Sequence, residues 1–282
     1  MPPVVLVLLA GAAVLHVVWN VLLKTSGDPL ATSARAVGWG LLFATPPVGA
    51  AWWVAGRPEF PAAALALAGA SAVVELFYFV FLSAAYRRGD LSTVYPIARG
   101  SAPLLAVLIG LFILGERLTP LGYVGVVLLL GGLWLVRRPV GAGPAVGFAL
   151  LTGVTIATYS AIDRLGVQAA PPWLYGWALW VLTYVALRVW LLVLRLARPA
   201  PLPARGPRSR AAVLGGAMIG AWMLVLGALS IAPLAAVAPL RESAIVLATG
   251  WGVLRLGERE GAPARLVGAA GIAAGVVLLA LA

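Results

Sequence analysis

Long apolar runs, interrupted by short clusters of charge, proline or glycine, dominate this chain of 282 residues. Ten of them stand out, over 3–23, 31–55, 62–86, 91–114, 119–136, 144–162, 172–194, 211–231, 234–254 and 262–281. Crossing a hydrocarbon core of about 30 Å takes roughly 20 apolar residues in a helix, so each run predicts one transmembrane helix. A membrane barrel would instead alternate apolar and polar positions over segments of about ten residues. The expected fold is an all-α integral membrane protein with ten transmembrane helices. The first run lacks a basic start and an A-x-A-like cleavage site, so it reads as a membrane helix rather than a removed leader.

The runs repeat. Sliding the chain by 142 residues places Arg99 on Arg241, Ser101 on Ser243, and Gly115-Glu116-Arg117 on Gly257-Glu258-Arg259. With a slip of two, "WNVLLK" (19–24) falls on "YSAIDR" (159–164). The chain therefore divides into two five-helix repeats, 1–140 and 141–282. Five is odd, so the second half enters the membrane the other way round, and inverted repeats of this kind are a common build for secondary transporters.

Composition agrees with membrane burial: 62% of residues are hydrophobic, 10% are charged, and mean hydropathy is +1.03, against about 25% charged in soluble domains. The absence of cysteine excludes disulfides, thiolate metal sites and cysteine nucleophiles. The formal charge of +11 is mostly a topology signal. Loops after odd-numbered runs carry Lys24, Arg35, Arg87, Arg88, Arg137, Arg138, Arg195, Arg198, Arg205, Arg208, Arg210, Arg255, Arg259 and Arg265, whereas loops after even-numbered runs carry Arg57, Arg117 and Arg164. By the positive-inside rule the odd loops are cytoplasmic and both termini lie outside, in a multi-pass inner (plasma) membrane protein of bacterial type. No nucleic-acid partner is expected; membrane lipid is.

Polar residues within the runs are the candidate site, because ionisable groups at a helix centre cost about 2.5 to 3.5 kcal/mol and face the bundle interior or a cavity. His16, Asn20 and Lys24 recur every four residues beside Trp19, forming one stripe at helical spacing. Glu75, Tyr78 and Tyr86 share a second face, and Thr152, Thr155, Tyr159 and Asp163 a third. Tyr95 and Arg99 enter from the fourth run, and Arg241, Glu242 and Ser243 from the ninth. Each arginine lies about eight residues in, roughly 12 Å deep at a rise of about 1.5 Å per residue, and inversion brings the two guanidiniums toward the midplane from opposite faces. A guanidinium binds carboxylate or phosphate bidentately, so Arg99 and Arg241 are expected anion anchors, with Asn20, Trp19, Tyr78, Tyr95 and Tyr159 as further substrate contacts. The competing expectation pairs the arginines internally, Arg241 with Glu242 or either arginine with Glu75. Glu75 is the expected proton-coupling group, its alternative being a fixed partner of Arg99, and His16 is a second, since an ordinary imidazole titrates in the physiological range. Lys24, Asp163 and Glu242 are expected at gates or in salt bridges, with Lys24 and Asp163 at helix ends where long side chains reach back to the interface. Trp173, Tyr175, Trp177, Trp180 and Tyr184 are expected to include interfacial anchors. The pairs Gly143/Gly147, Gly216/Gly220 and Gly271/Gly275 permit close helix contact and leave a homodimer through glycine-rich helices open.

Ten helices in two halves, with Pro96 and Pro103 in the fourth run and "LGERLTPLGYVGVVLLLGGLWLV" entering the fifth, resemble the EamA-type transporters of the drug/metabolite transporter superfamily. The resemblance covers nearly the whole chain, and a second copy of the pattern spans 256–279. It implies a permease of small metabolites, often an exporter, with a cavity lined by the first, third, fourth, sixth, eighth and ninth helices. The expected function is secondary active transport, in the efflux direction, of a small anionic or zwitterionic metabolite such as an amino acid or phosphonate. The alternative is a proton-coupled exporter of cationic drugs. An embedded enzyme or a scaffold ranks behind both: the chain has no H-E-x-x-H, no G-x-S-x-G and no phosphate-binding glycine loop, so no metal or other cofactor is expected.

Overall fold

The computed structural model describes residues 2–24, 26, 28–89, 91–137, 143–197, 207–242 and 262–282. Ser243, the second copy of the LGER motif with Glu258 and Arg259, and the side chains of Lys24 and Tyr95 lie outside the described residues. The described part is helical, with no strands. In chain order the helices are α1 (Pro3–Lys24), α2 (Pro29–Val54), α3 (Ala62–Arg88), α4 (Leu91–Leu108), α5 (Pro120–Arg137), α6 (Pro144–Ala169), α7 (Pro172–Ala197), α8 (Arg208–Ile231), α9 (Leu234–Leu240) and α10 (Ala262–Leu281). A π-helical turn, Ile109–Ile113, follows α4.

Prolines set many of the boundaries. Helices α1, α2, α5, α6 and α7 open on proline, whose fixed φ suits the first helical position and whose missing N–H is not needed there. Before α2, the Asp28 carboxylate accepts from the amides of Leu30 (3.0 Å) and Ala31 (3.1 Å), which would otherwise go unpaired at a helix start.

Among the described residues, α1, α3, α6, α7 and α8 each contain a stretch long and apolar enough to cross a membrane alone; the protein is a multi-pass membrane protein. Helix α2 has 26 residues, but Arg35, Pro46 and Pro47 lower its hydropathy. Helices α4, α5 and α10 are shorter apolar helices, and α9 has only seven residues before the turn at Arg241 and Glu242.

The helices pair in a regular way. Helix α1 packs along α8 and α3 along α6, while α2 lies on α8 and α3 on α7. Helix α4 rests on α6 and α9, and α5 runs against α10. Small residues let the backbones meet. A Cβ on Gly40 of α2 would come within 2.9 Å of the Gly215 carbonyl of α8, and one on Gly275 of α10 within 2.6 Å of the Gly125 carbonyl of α5. Gly271 also faces α5, with the Leu128 carbonyl 3.4 Å from its would-be Cβ, so the Gly271/Gly275 pair serves a contact within the chain. Large apolar side chains such as Val7, Phe112, Ile113, Val127, Val189 and Val267 are exposed on the outside of the bundle, as lipid contact requires.

Replacing Gly275 by valine is expected to lower stability by about 1 to 3 kcal/mol through overpacking against backbone. Gly131→Ala within α5, where nothing lies within 4 Å, should instead raise stability by up to about 1 kcal/mol. The thermal midpoints of the two variants in detergent check this.

Candidate functional site

The interior holds three polar clusters. The first joins α4 to the turn after α9. Arg99 Nη1 lies 3.3 Å from Glu242 Oε1, and Arg241 Nε lies 3.7 Å from the same oxygen. All three side chains are buried. Arg241 and Glu242 are chain neighbours, and on a regular helix neighbours point about 100° apart. Arg241 keeps helical backbone angles (φ −57°, ψ −27°) after α9, so the 3.7 Å approach comes from the two side chains reaching toward each other. The internal partner of Arg99 is thus Glu242 rather than Glu75.

The second cluster joins α3, α6 and α7. Thr183 Oγ1 donates to Glu75 Oε2 at 2.7 Å. One helical turn earlier, Ser71 Oγ donates to Asp163 Oδ1 at 2.6 Å, and Tyr175 Oη donates to the same oxygen at 3.0 Å. Asp163 is 1% exposed, which corrects the helix-end position expected for it: α6 continues to Ala169, so Asp163 lies inside the bundle with two hydroxyl donors. Tyr175 and Trp180, expected among the interfacial anchors, are likewise core residues.

The third cluster explains the first LGER motif. Gly115 has φ +66°, a left-handed conformation that glycine adopts at little cost. This turns the chain so that the Glu116 carboxylate accepts from the amides of Leu234 (2.8 Å) and Ala235 (2.9 Å), the first residues of α9. Arg164 of α6 closes the cluster, its Nε 3.2 Å from Glu116 Oε1 and its Nη1 donating to the Leu229 carbonyl. Space is tight: a Cβ on Gly110 would lie 2.5 Å from Glu116 Oε2 and 3.1 Å from the Ala235 amide.

Between the first two clusters lie aromatic rings. Tyr78 meets Tyr159 edge-on at 5.8 Å between centroids, and Tyr159 meets Trp222 at 4.9 Å. Among the described residues two small clefts open here, each with room for about one water molecule. One is lined by Trp19, Glu75, Tyr78, Phe79, Trp180, Met218 and Trp222. The other includes Trp19, Asn20, Tyr78, Tyr86, Arg99 and Thr152 in its lining. Trp19 and Tyr78 belong to both. On α1, Asn20 Nδ2 donates to the His16 carbonyl at 2.8 Å, and Asn20 Oδ1 accepts from Tyr86 of α3 at 3.4 Å. His16 is buried beside Trp19 and donates through Nδ1 to the Ala12 carbonyl at 2.9 Å. Thr155 donates to the Thr152 carbonyl within α6.

The structure thus brings Trp19, Asn20, Tyr78, Tyr159 and Arg99 around one interior region, with Arg241 and Glu242 joined to Arg99. Glu75 lines the neighbouring cleft, and His16 abuts Trp19. Thr183, Ser71, Trp180, Glu116 and Arg164 were not singled out as site residues from sequence. Of these, two carry a signal in the repeat: Arg164 pairs with Lys24, and Glu116 with Glu258.

Residues 3–138 match the model of the EamA-like transporter family. A solved structure described only as "Crystal structure of protein" superposes with a TM-score of 0.70 at 18% identity, covering 100% of this chain and 98% of that one; at that identity the likeness concerns the fold. No curated protein matches the chain.

Removing the α9 cap by Glu116→Ala should cost about 1 to 3 kcal/mol, the penalty for leaving buried donors unsatisfied. Glu242→Gln, which strips two buried guanidiniums of their shared carboxylate, should cost about 3 to 5 kcal/mol. Thermal unfolding of both variants in detergent tests the order of the two losses.

Proposed function

We propose that this chain, which belongs through residues 3–138 to the EamA-like transporter family, is a secondary transporter of a small anionic or zwitterionic metabolite. The observation that carries the reading is the convergence of Arg99 and Arg241, from two different elements, on one buried carboxylate beside a cleft. In that arrangement Glu242 makes the contact that a substrate carboxylate, phosphonate or phosphate also makes when it binds. Two guanidiniums share one carboxylate, so an incoming oxyanion that joins Glu242 on them brings the cluster closer to charge balance. Trp19, Asn20, Tyr78 and Tyr159 complete the binding region, with His16 behind Trp19; Tyr95, whose side chain lies outside the described residues, is a further candidate contact. Glu75 is a candidate proton carrier, and Lys24 is a candidate gate residue.

Alternating access between two inverted five-helix halves, 1–140 and 141–282, is the proposed mechanism. It is supported by the helix pairings, which keep their pattern when the halves are exchanged: α1 on α8 becomes α6 on α3, and α2 on α8 becomes α7 on α3. The third cluster supplies a contact that such a cycle would break and remake, since Glu116 and Arg164 tie the end of α4 to α6, α8 and α9. Odd-numbered loops in the cytoplasm, export as the direction and an inner-membrane location belong to the same proposal; the basic residues of the odd loops support the first of these.

Purified protein is expected to be stabilised against heat by members of a panel of amino acids, phosphonates and organic phosphates, and not by cationic drugs. Arg99→Ala should weaken the response at least about tenfold, equivalent to about 1.4 kcal/mol. Equal stabilisation of wild type and variant by cationic drugs would sink the reading.

A further inference from the structure

We propose that Glu75, boxed by Trp19, Tyr78, Trp180 and Trp222, is a binding subsite for a substrate ammonium group, and that the substrate is therefore a zwitterion rather than a simple anion. The inference rests on the transport reading above and adds a second pole to it. Two observations carry it. Among the described residues, Glu75 Oε1, Trp180 Nε1 and Trp222 Nε1 are buried atoms with no hydrogen-bond partner, and all three residues line the same cleft. Buried polar atoms in folded proteins are nearly always satisfied. An unsatisfied carboxylate oxygen beside two unsatisfied indole N–H groups marks a place where a polar ligand group completes the set.

The neighbouring acid shows the contrast. Asp163 receives two hydroxyls, from Ser71 and Tyr175. Glu75, one turn from Ser71 on α3, receives only Thr183 on Oε2, so its other oxygen faces the need for a donor. An ammonium group supplies up to three N–H donors, and its charge is attracted by the faces of indole and phenol rings within about 6 Å. The indole N–H groups are donors and suit the oxygen atoms of the same ligand. A free α-amino acid or aminophosphonate offers both kinds of atom within a few bonds.

The placement of the two clefts fits such a ligand. Trp19 and Tyr78 line both, with Glu75 in one and Arg99 in the other, so one small molecule lying against these two rings has an acid at one end and a guanidinium at the other. Glu75 then acts as a specificity group, since an acid without an amine leaves its carboxylate buried beside the ligand without a donor.

The test uses purified full-length protein and a set of α-amino acids, each with its N-acetyl derivative and its deaminated carboxylic acid, read as thermal stabilisation against ligand concentration. Glu75→Gln keeps an acceptor for Thr183, and Trp222→Phe keeps a ring while removing the N–H. In the wild type, at least one free amino acid is expected to bind at least tenfold more tightly than its N-acetyl and deaminated forms. Glu75→Gln should remove that preference, weakening the free amino acid and not the deaminated acid, whereas Trp222→Phe, which removes a donor to the ligand's oxygen atoms, should weaken both forms alike. Equal binding of amino and deaminated forms by the wild type overturns the ammonium subsite while leaving the arginine anchor standing. Unchanged preference in Glu75→Gln, with pH-driven uptake into vesicles lost, also overturns it and leaves Glu75 a proton carrier. If no amino acid or deaminated acid responds in the wild type, the subsite is wrong, and the anion reading is judged separately on organic phosphates and Arg99→Ala.

Discussion

A guanidinium placed among apolar helices has to be neutralised within reach, because neither lipid nor a packed helix interior can solvate it. That constraint organises the centre of this protein. Arg99 enters from α4 and Arg241 from the turn after α9, and Glu242 stands within ion-pair distance of both. Desolvating such a group costs several kcal/mol, and removing a single partner from a buried pair is more damaging than replacing the whole pair by apolar residues. On the proposed transport reading, two guanidiniums sharing one carboxylate leave room in the charge balance for a substrate oxyanion.

The same scarcity of solvent governs the helix ends. Helix α9 begins inside the bundle, and the first amides of any helix have no intrahelical acceptor. In water they would be hydrated; at Leu234 and Ala235, which are buried, a protein group must serve. Glu116 does so, delivered by the left-handed turn at Gly115 and accompanied by Arg164. Because the turn after α9 carries Arg241 and Glu242, whatever shifts α9 shifts the central ion cluster.

How far the sequence disclosed this can be judged residue by residue. Runs of about 20 apolar residues place helices well, because the length required is set by the bilayer, and the observed starts at Pro29, Pro120, Pro144 and Pro172 fall within two residues of the expected ones. The 142-residue repeat singled out Arg99 and Arg241 together. It does not show that Glu242, which stands beside Arg241 in the sequence, also reaches Arg99, because that contact joins two separate elements. Asp163 was read as a helix-end residue because the apolar run stops at 162, whereas α6 continues to Ala169 through Gly166, whose would-be Cβ abuts the Tyr175 ring. Thr183 and Ser71 carry no pattern of their own; a hydroxyl in an apolar helix gains meaning only when the facing helix presents a carboxylate. The LGER tetrapeptide was visible as a motif, but its purpose depended on a helix start more than a hundred residues away.

These separate failures share a cause, and it bears on how the site works. Sequence periodicity reports which face of a helix is polar, but not which polar faces meet. In this fold the meeting points lie where α3, α6 and α7 touch, where α4 reaches the end of α9, and where α1 passes between the two. Trp19 and Tyr78 sit at the join, lining the cleft of Glu75 as well as that of Arg99. Rings at such a position separate an acid from a guanidinium that would otherwise attract one another across the gap. Under the proposed ammonium subsite, an acid and a guanidinium lining neighbouring clefts would meet the two ends of one small molecule. A direct Glu75–Arg99 pair would remove that possibility. The structure avoids this by giving Arg99 a partner on α9's turn and Glu75 a hydroxyl on α7.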